Sequence, residues 1–162
     1  RAAVAEFFED KGWKRRIAEN GWAVARVAPL SVVARLPLRG GAENAAEEYT
    51  LLLTCDYYPT HPPDVRFVDP DTLEYDPTRD QGHLPILQAP YCYLHPVYTC
   101  YPADYPNGPQ LVCSSMTLGY YFSGHAPTPE QAWDPGRHTL GTALSTVYQA
   151  LRSEHYRGRS AG

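Results

Sequence analysis

"YYPTHPPDVRFVDP", residues 57–70, holds four prolines directly after the most hydrophobic run of the chain, "EYTLLLTCDYY" (48–58), and then resumes as "DVRFV". Proline has no N–H and fixes φ, so Pro59, Pro62 and Pro63 cannot continue a central ladder. The stretch reads as a rigid turn that takes the chain off one strand of an antiparallel meander and returns it as the next. In 48–58, Tyr49, Leu51, Leu53, Cys55 and Tyr57 alternate with Thr50, Leu52, Thr54 and Asp56, so the first set is expected to cover a core.

Upstream of that strand, "WAVARV" (22–27) and "SVVARLPL" (31–38) are alternating and β-branched and read as the first two strands, followed by the Gly- and Ala-rich connector "RGGAENAAE". Val4, Phe7 and Phe8 lie at helical spacing, and "WKRRIAEN" ends at Gly21, which predicts one N-terminal helix with a break near Gly12. Downstream, Asp134 and Pro135 have the chemistry of an N-cap and a first helical residue. Leu140, Leu144, Val147 and Leu151 then form one apolar stripe, which predicts a C-terminal helix packed on the sheet. The 16 prolines and 13 tyrosines concentrate between residues 57 and 121, a stretch expected to consist of loops and short strands packed by rings.

With 162 residues, 43% hydrophobic and 20% charged, the chain fits one α+β domain spanning 1–162. A net charge of −4 without a long basic window argues against a nucleic-acid partner. No apolar run approaches a membrane span and no signal-peptide pattern opens the chain, so a cytoplasmic protein is expected. Without a secretory signal, Cys55, Cys92, Cys100 and Cys113 are expected as free thiols, and no CxxC pair supports structural zinc.

On these residues the chain resembles the ubiquitin-conjugating (E2, UBC-like) family. "YYPTHPPDVRF" (57–67) reproduces its Tyr-Pro-x-x-Pro-Pro-x-Val-x-Phe signature, "VCSSM" (112–116) looks like its nucleophile strand, and "EQAWDPGRHTLGTALSTVYQAL" looks like its Trp-x-Pro helix. The resemblance implies a UBC-like fold: an N-terminal helix, a four-stranded antiparallel meander, a long active-site excursion and a C-terminal helix. There are departures. The family's His-Pro-Asn is replaced by Tyr105-Pro106-Asn107, the segment 68–104 is long, and the helices that follow Trp-x-Pro in the family do not appear before Gly162. With these departures the chain resembles the divergent, bacterial-type E2-like proteins.

The implied activity is transfer of a ubiquitin-like protein from an E1-like activating enzyme onto a cysteine as a thioester, then onto a target amine. It needs no cofactor and no metal, and an E3-like ligase or a deconjugating protease would be a further partner. Such chemistry needs an accessible thiol with a thiolate fraction. Cys113, at the end of the apolar "QLV" and before Ser114 and Ser115, has that position; a buried core thiol is the plainer reading. Cys92, with His83 nine residues upstream, is the alternative nucleophile. Asn107 would take the family's oxyanion-donor role, or is an Asn-Gly turn residue. Lys14, Arg15 and Arg16 would meet the activating enzyme, or form a solvated helix face.

His125 is either a proton acceptor beside the thioester or a solvated loop residue. Two other functions compete with conjugation: a non-catalytic UBC- or RWD-like binding module, and a cysteine hydrolase using Cys113 with His125 or His138. A zinc site from His83, His95, Cys92 and Cys100 is a weaker reading on spacing. Phe67 and Trp133 read as packing residues, Trp133 pinning the active-site loop to the last helix.

Overall fold

A computed structural model describes residues 2–38, 47–102, 105 and 108–161; the connector at 39–46 and Asn107 lie outside the described residues. The chain opens with α1 (Ala2–Glu9) and α2 (Lys11–Asn20). The break falls at Asp10, not Gly12: Asp10 adopts extended backbone and its carboxylate accepts the N–H of Trp13 at 2.9 Å, a side-chain cap that starts a second helix. Gly21, at φ 68, closes α2 as expected, its N–H turned back to the Ala18 carbonyl.

Strands β1 (Ala23–Ala28), β2 (Ser31–Leu38), β3 (Glu47–Thr54) and β4 (Asp64–Phe67) pair in sequence order as an antiparallel sheet. This is the expected four-stranded meander. Along β3, Tyr49, Leu51 and Leu53 are sealed, and Cys55 just past its end is too. Tyr57 departs from that reading: it is 55% exposed, because β3 stops at Thr54 and the turn cancels the alternation.

The proline turn behaves as the missing N–H groups dictate. The chain leaves β3, His61 N–H bonds back to the Tyr57 carbonyl at 2.9 Å, and β4 re-enters with Phe67 opposite Leu51 and Asp64 opposite Thr54. The indole N–H of Trp133 donates to the Pro59 carbonyl at 2.9 Å, and the Tyr58 hydroxyl accepts the Leu140 N–H at 3.3 Å. The turn is thereby held to the start of the last helix. Trp133, only half-buried, thus pins the proline turn, where the active-site loop was expected.

That last helix, α4, runs Leu140–Leu151, six residues after the expected Asp134 cap. Asp134 instead heads an isolated turn, accepting Arg137 and His138 N–H groups on its carbonyl and the Gly136 N–H on its carboxylate. Thr139 is extended and caps α4 in a reciprocal capping box with Thr142. The predicted stripe is the buried one: Leu140, Leu144, Val147 and Leu151 are each at most 2% exposed.

A second antiparallel sheet carries the excursion. Its strands β5 (Pro85–Ala89), β6 (Cys92–His95), β7 (Leu111–Cys113) and β8 (Tyr156–Arg159) lie in the order β7-β6-β5-β8. Helix α3 (Leu118–Phe122) covers β7, and α4 packs against β2, β5 and β6. One cluster of buried apolar residues joins α1, both sheets and α4. β8 is held to β3 by Tyr156, whose hydroxyl lies 2.6 Å from that of Tyr49, and by the Arg159 guanidinium 4.4 Å over the Tyr49 ring. Among the described residues, no helix is long and apolar enough to cross a membrane.

Candidate functional site

β7 is positioned by a buried amide. Gln110 is 1% exposed, and its side chain accepts the Phe67 N–H at 2.8 Å and donates to the Phe67 carbonyl at 2.9 Å. It thus satisfies β4's outer edge as another strand would. Three residues later Cys113 ends β7, opposite Tyr93 of β6. The strand stops because residues 114–117 turn sharply. The Thr117 hydroxyl lies 2.6 Å from the Val112 carbonyl and 2.9 Å from that of Ser114, and the Thr117 N–H also returns to Ser114.

The turn feeds α3, whose Gly119 lets the helix lie against β7: a Cβ there would meet Leu111 and the Tyr101 hydroxyl at 3.0 Å. α3 ends at Phe122 with Ser123 as its C-cap, and Gly124, at φ +80, takes the left-handed conformation that suits glycine and folds the chain back. His125 is the next residue. Its ring stacks on that of Tyr120, 4.4 Å between centroids and 19° between planes. Nε2 lies 3.6 Å from Cys113 Sγ, and Nδ1 lies 2.7 Å from Ser123 Oγ. His125 is a solvent-exposed loop residue, as one of its two readings expects, and its Nε2 is the ring nitrogen that faces Cys113 Sγ.

The four cysteines separate sharply. Cys113 is half-buried, and burial alone pushes its thiol up. Cys92 is fully buried, and burial, with Cys113 as a lesser influence, pushes it up to about 12. Cys55 reaches about 12 by burial and the nearby Asp56. Cys100 is exposed. All four are free thiols, as expected.

His83 is engaged elsewhere, its Nε2 3.2 Å from Asp69 Oδ2. Asp69, Asp80 and His83 offer ligand atoms within 4.8 Å of one another, and they are the only such group of three among the described residues; no cysteine belongs to it. Their atoms are committed to local structure: Asp69 caps Asp71 and Thr72 N–H groups, and Asp80 pairs with Arg79 at 3.0 Å. His138 Nδ1 accepts the Asp134 N–H, and its ring packs beside Trp133.

His95 sits between Tyr93 and Tyr98 near the cysteine, and burial, then the charge of His125, holds it below the usual imidazole range. Tyr105, of the Tyr-Pro-Asn segment, is buried and donates to Asp64 at 2.5 Å. Lys14, Arg15 and Arg16 are exposed on α2. Lys14 lies 3.8 Å from Glu9, and Arg16 lies over Trp13 at the rim of an open groove of about 570 Å³ between α2 and α4.

Sequence reasoning named Cys113 and His125 but missed Ser123 and Gln110. "YYFSGHAP" held a signal for the first, since Ser-Gly after an aromatic run marks a helix end that turns back. Gln110 had none, because its partner is 43 residues away. No protein-family model, curated protein or solved structure matches this chain.

Proposed function

We propose that this chain is an E2-like conjugating enzyme with a UBC-like fold, in which Cys113 carries a ubiquitin-like protein as a thioester. The observation that carries the reading is the Cys113–His125 pair, Sγ to Nε2 3.6 Å, on a half-buried thiol at a strand end, beside a Cys92 that is fully buried. The order of N-terminal helices, four-stranded meander with the proline turn between β3 and β4, cysteine segment and α4 supports the family reading. The second sheet, β8 included, is this chain's own elaboration of it.

In this mechanism His125 Nε2 takes the Cys113 proton, and the thiolate attacks the thioester carbonyl of the charged activating enzyme. The new C–S bond forms, the partner's C–S bond breaks, and the departing thiolate recovers a proton from the imidazolium. In the second step a target amine attacks the Cys113 thioester, the amide forms, Cys113 leaves as thiolate, and the amine's surplus proton passes to His125. Asn107 keeps the role of oxyanion donor in this reading, and Lys14, Arg15 and Arg16 that of meeting the activating enzyme. ATP is consumed by that enzyme, so the transfer itself takes no cofactor.

A second reading, the non-catalytic binding module, draws support from the upward push of burial on Cys113. A charging reaction separates the two. The protein is mixed with an E1-like enzyme, its ubiquitin-like protein and ATP, and resolved on non-reducing gels. The enzyme reading expects a thiol-sensitive adduct, lost in Cys113→Ala and retained in Cys92→Ala. No adduct from an activating enzyme that charges itself selects the binding module.

A further inference from the structure

We infer that Ser123 is a positioning residue that fixes the proton of neutral His125 on Nδ1 and so presents the Nε2 lone pair to Cys113. The inference deepens the reading of Cys113 as nucleophile and rests on it for its catalytic meaning. Its geometric basis is independent of which acyl group arrives.

Ser123 Oγ makes two short contacts, 2.8 Å to the Tyr120 carbonyl and 2.7 Å to His125 Nδ1. The hydroxyl has one hydrogen, and the carbonyl can only accept. If the hydroxyl donated to Nδ1, its oxygen would face the carbonyl oxygen at 2.8 Å with no hydrogen between two lone pairs. The one arrangement that satisfies both contacts sends O–H to the Tyr120 carbonyl and N–H from Nδ1 to Ser123 Oγ. A neutral imidazole carries a single N–H, so Nε2 is then bare, 3.6 Å from Cys113 Sγ.

The same order serves the charged state. After Nε2 takes the thiol proton, Nδ1–H still donates to Ser123, and Nε2–H donates to the thiolate, so nothing in the relay rearranges. The neighbours hold the ring in place. The stacked Tyr120 restricts its tilt, Gly124 supplies the turn between Ser123 and His125, and the Tyr98 hydroxyl lies 3.4 Å from the Ser123 carbonyl. A half-turn of the imidazole would exchange Nδ1 for a carbon and lose the serine contact. Because serine is neutral, it orients the base without supplying charge, unlike a carboxylate in this place.

The test uses two readouts that need no acyl donor. Long-range 15N–1H NMR of the wild-type protein, at a pH where His125 is neutral, identifies the protonated nitrogen. Iodoacetamide alkylation of Cys113 is followed in a Cys100→Ser background for wild type, Ser123→Ala and Ser123→Thr. The inference expects the Nδ1–H tautomer in wild type and its loss in Ser123→Ala. It also expects alkylation about tenfold slower in Ser123→Ala, with recovery in Ser123→Thr. An Nε2–H tautomer in wild type overturns it without recourse to any variant, as does a Ser123→Ala protein with unchanged tautomer and rate. Failure of the charging reaction with the Nδ1–H tautomer in place would count against the conjugating function alone.

Discussion

Gly141→Ala sets helix propensity against packing in a single methyl group. A Cβ at Gly141, in the first turn of α4, would lie 2.3 Å from three ring carbons of Trp13. Carbon atoms rest at about 3.5–4.0 Å, so the ring must retreat by more than about 1 Å. Trp13 cannot do so freely, because it packs on Phe7, 5.8 Å between ring centroids, and Phe7 is only 4% exposed. Alanine in place of glycine favours a helix by at most about 1 kcal/mol. Overpacking costs about 1–3 kcal/mol, and a 2.3 Å approach to a ring backed by Phe7 puts this site in the upper part of that range, about 2–3 kcal/mol. The net expectation is a loss of about 1–2 kcal/mol, which lowers the urea midpoint by roughly 0.5–1 M. Urea unfolding followed by tryptophan fluorescence and far-UV circular dichroism measures it. In a Trp13→Ala background the same substitution is expected to be neutral or stabilising, a coupling that a double-mutant cycle reads directly. A Gly141→Ala protein as stable as wild type would refute the close docking of α2 on α4.

Native alkylation at pH 8 followed by peptide mapping is expected to label Cys100 and Cys113 and to spare Cys55 and Cys92. Those two, pushed up to about 12, are about one part in ten thousand thiolate there, and both label after unfolding. Gln110→Ala strands a buried N–H and carbonyl of Phe67; chemical denaturation should show a loss of about 2–3 kcal/mol, and Cys113 should label faster as β7 loosens. Asp69, Asp76 and Asp80 are all held below the usual carboxylate range, the first two by hydrogen bonds from neighbouring residues and Asp80 by Arg79. Depressed carboxylates stabilise the fold above their unfolded value and cease to as pH falls through the folded one. Melting temperature should therefore drop on the acid side of about pH 4, and less steeply in Asp80→Asn.

What was readable in the sequence was whatever local chemistry decides. Three prolines forced the turn, alternation along β3 selected Tyr49, Leu51 and Leu53, and the spacing of Leu140, Leu144, Val147 and Leu151 marked the face of α4. Local signals misled where two elements competed for one cap. Asp134 and Pro135 look like a helix start, yet Asp134 closes its own turn and Thr139 caps the helix. The second sheet was legible only as short ring-packed strands. β7 has three residues, and β5 meets β8 with Pro85 opposite Arg159, a pairing that no local pattern encodes. For the site, residue chemistry nominated Cys113 and His125, while their meeting depends on the Gly124 turn and on Gln110 holding β7 against β4. Cys92 was a rival because spacing to His83 says nothing of burial. The structure buries Cys92 completely and gives the His83 ring to Asp69.

The claim on which the account turns is that Cys113 is the acyl acceptor. The most direct measurement incubates the native protein with a small-molecule thioester of a peptide ending in glycine, quenches at low pH, and maps the acylated residue by mass spectrometry. The account predicts the peptide on Cys113, with acylation slowed in His125→Gln and unchanged in Cys92→Ser. Acylation on Cys92, or a Cys113 no more reactive than the exposed Cys100, would contradict it.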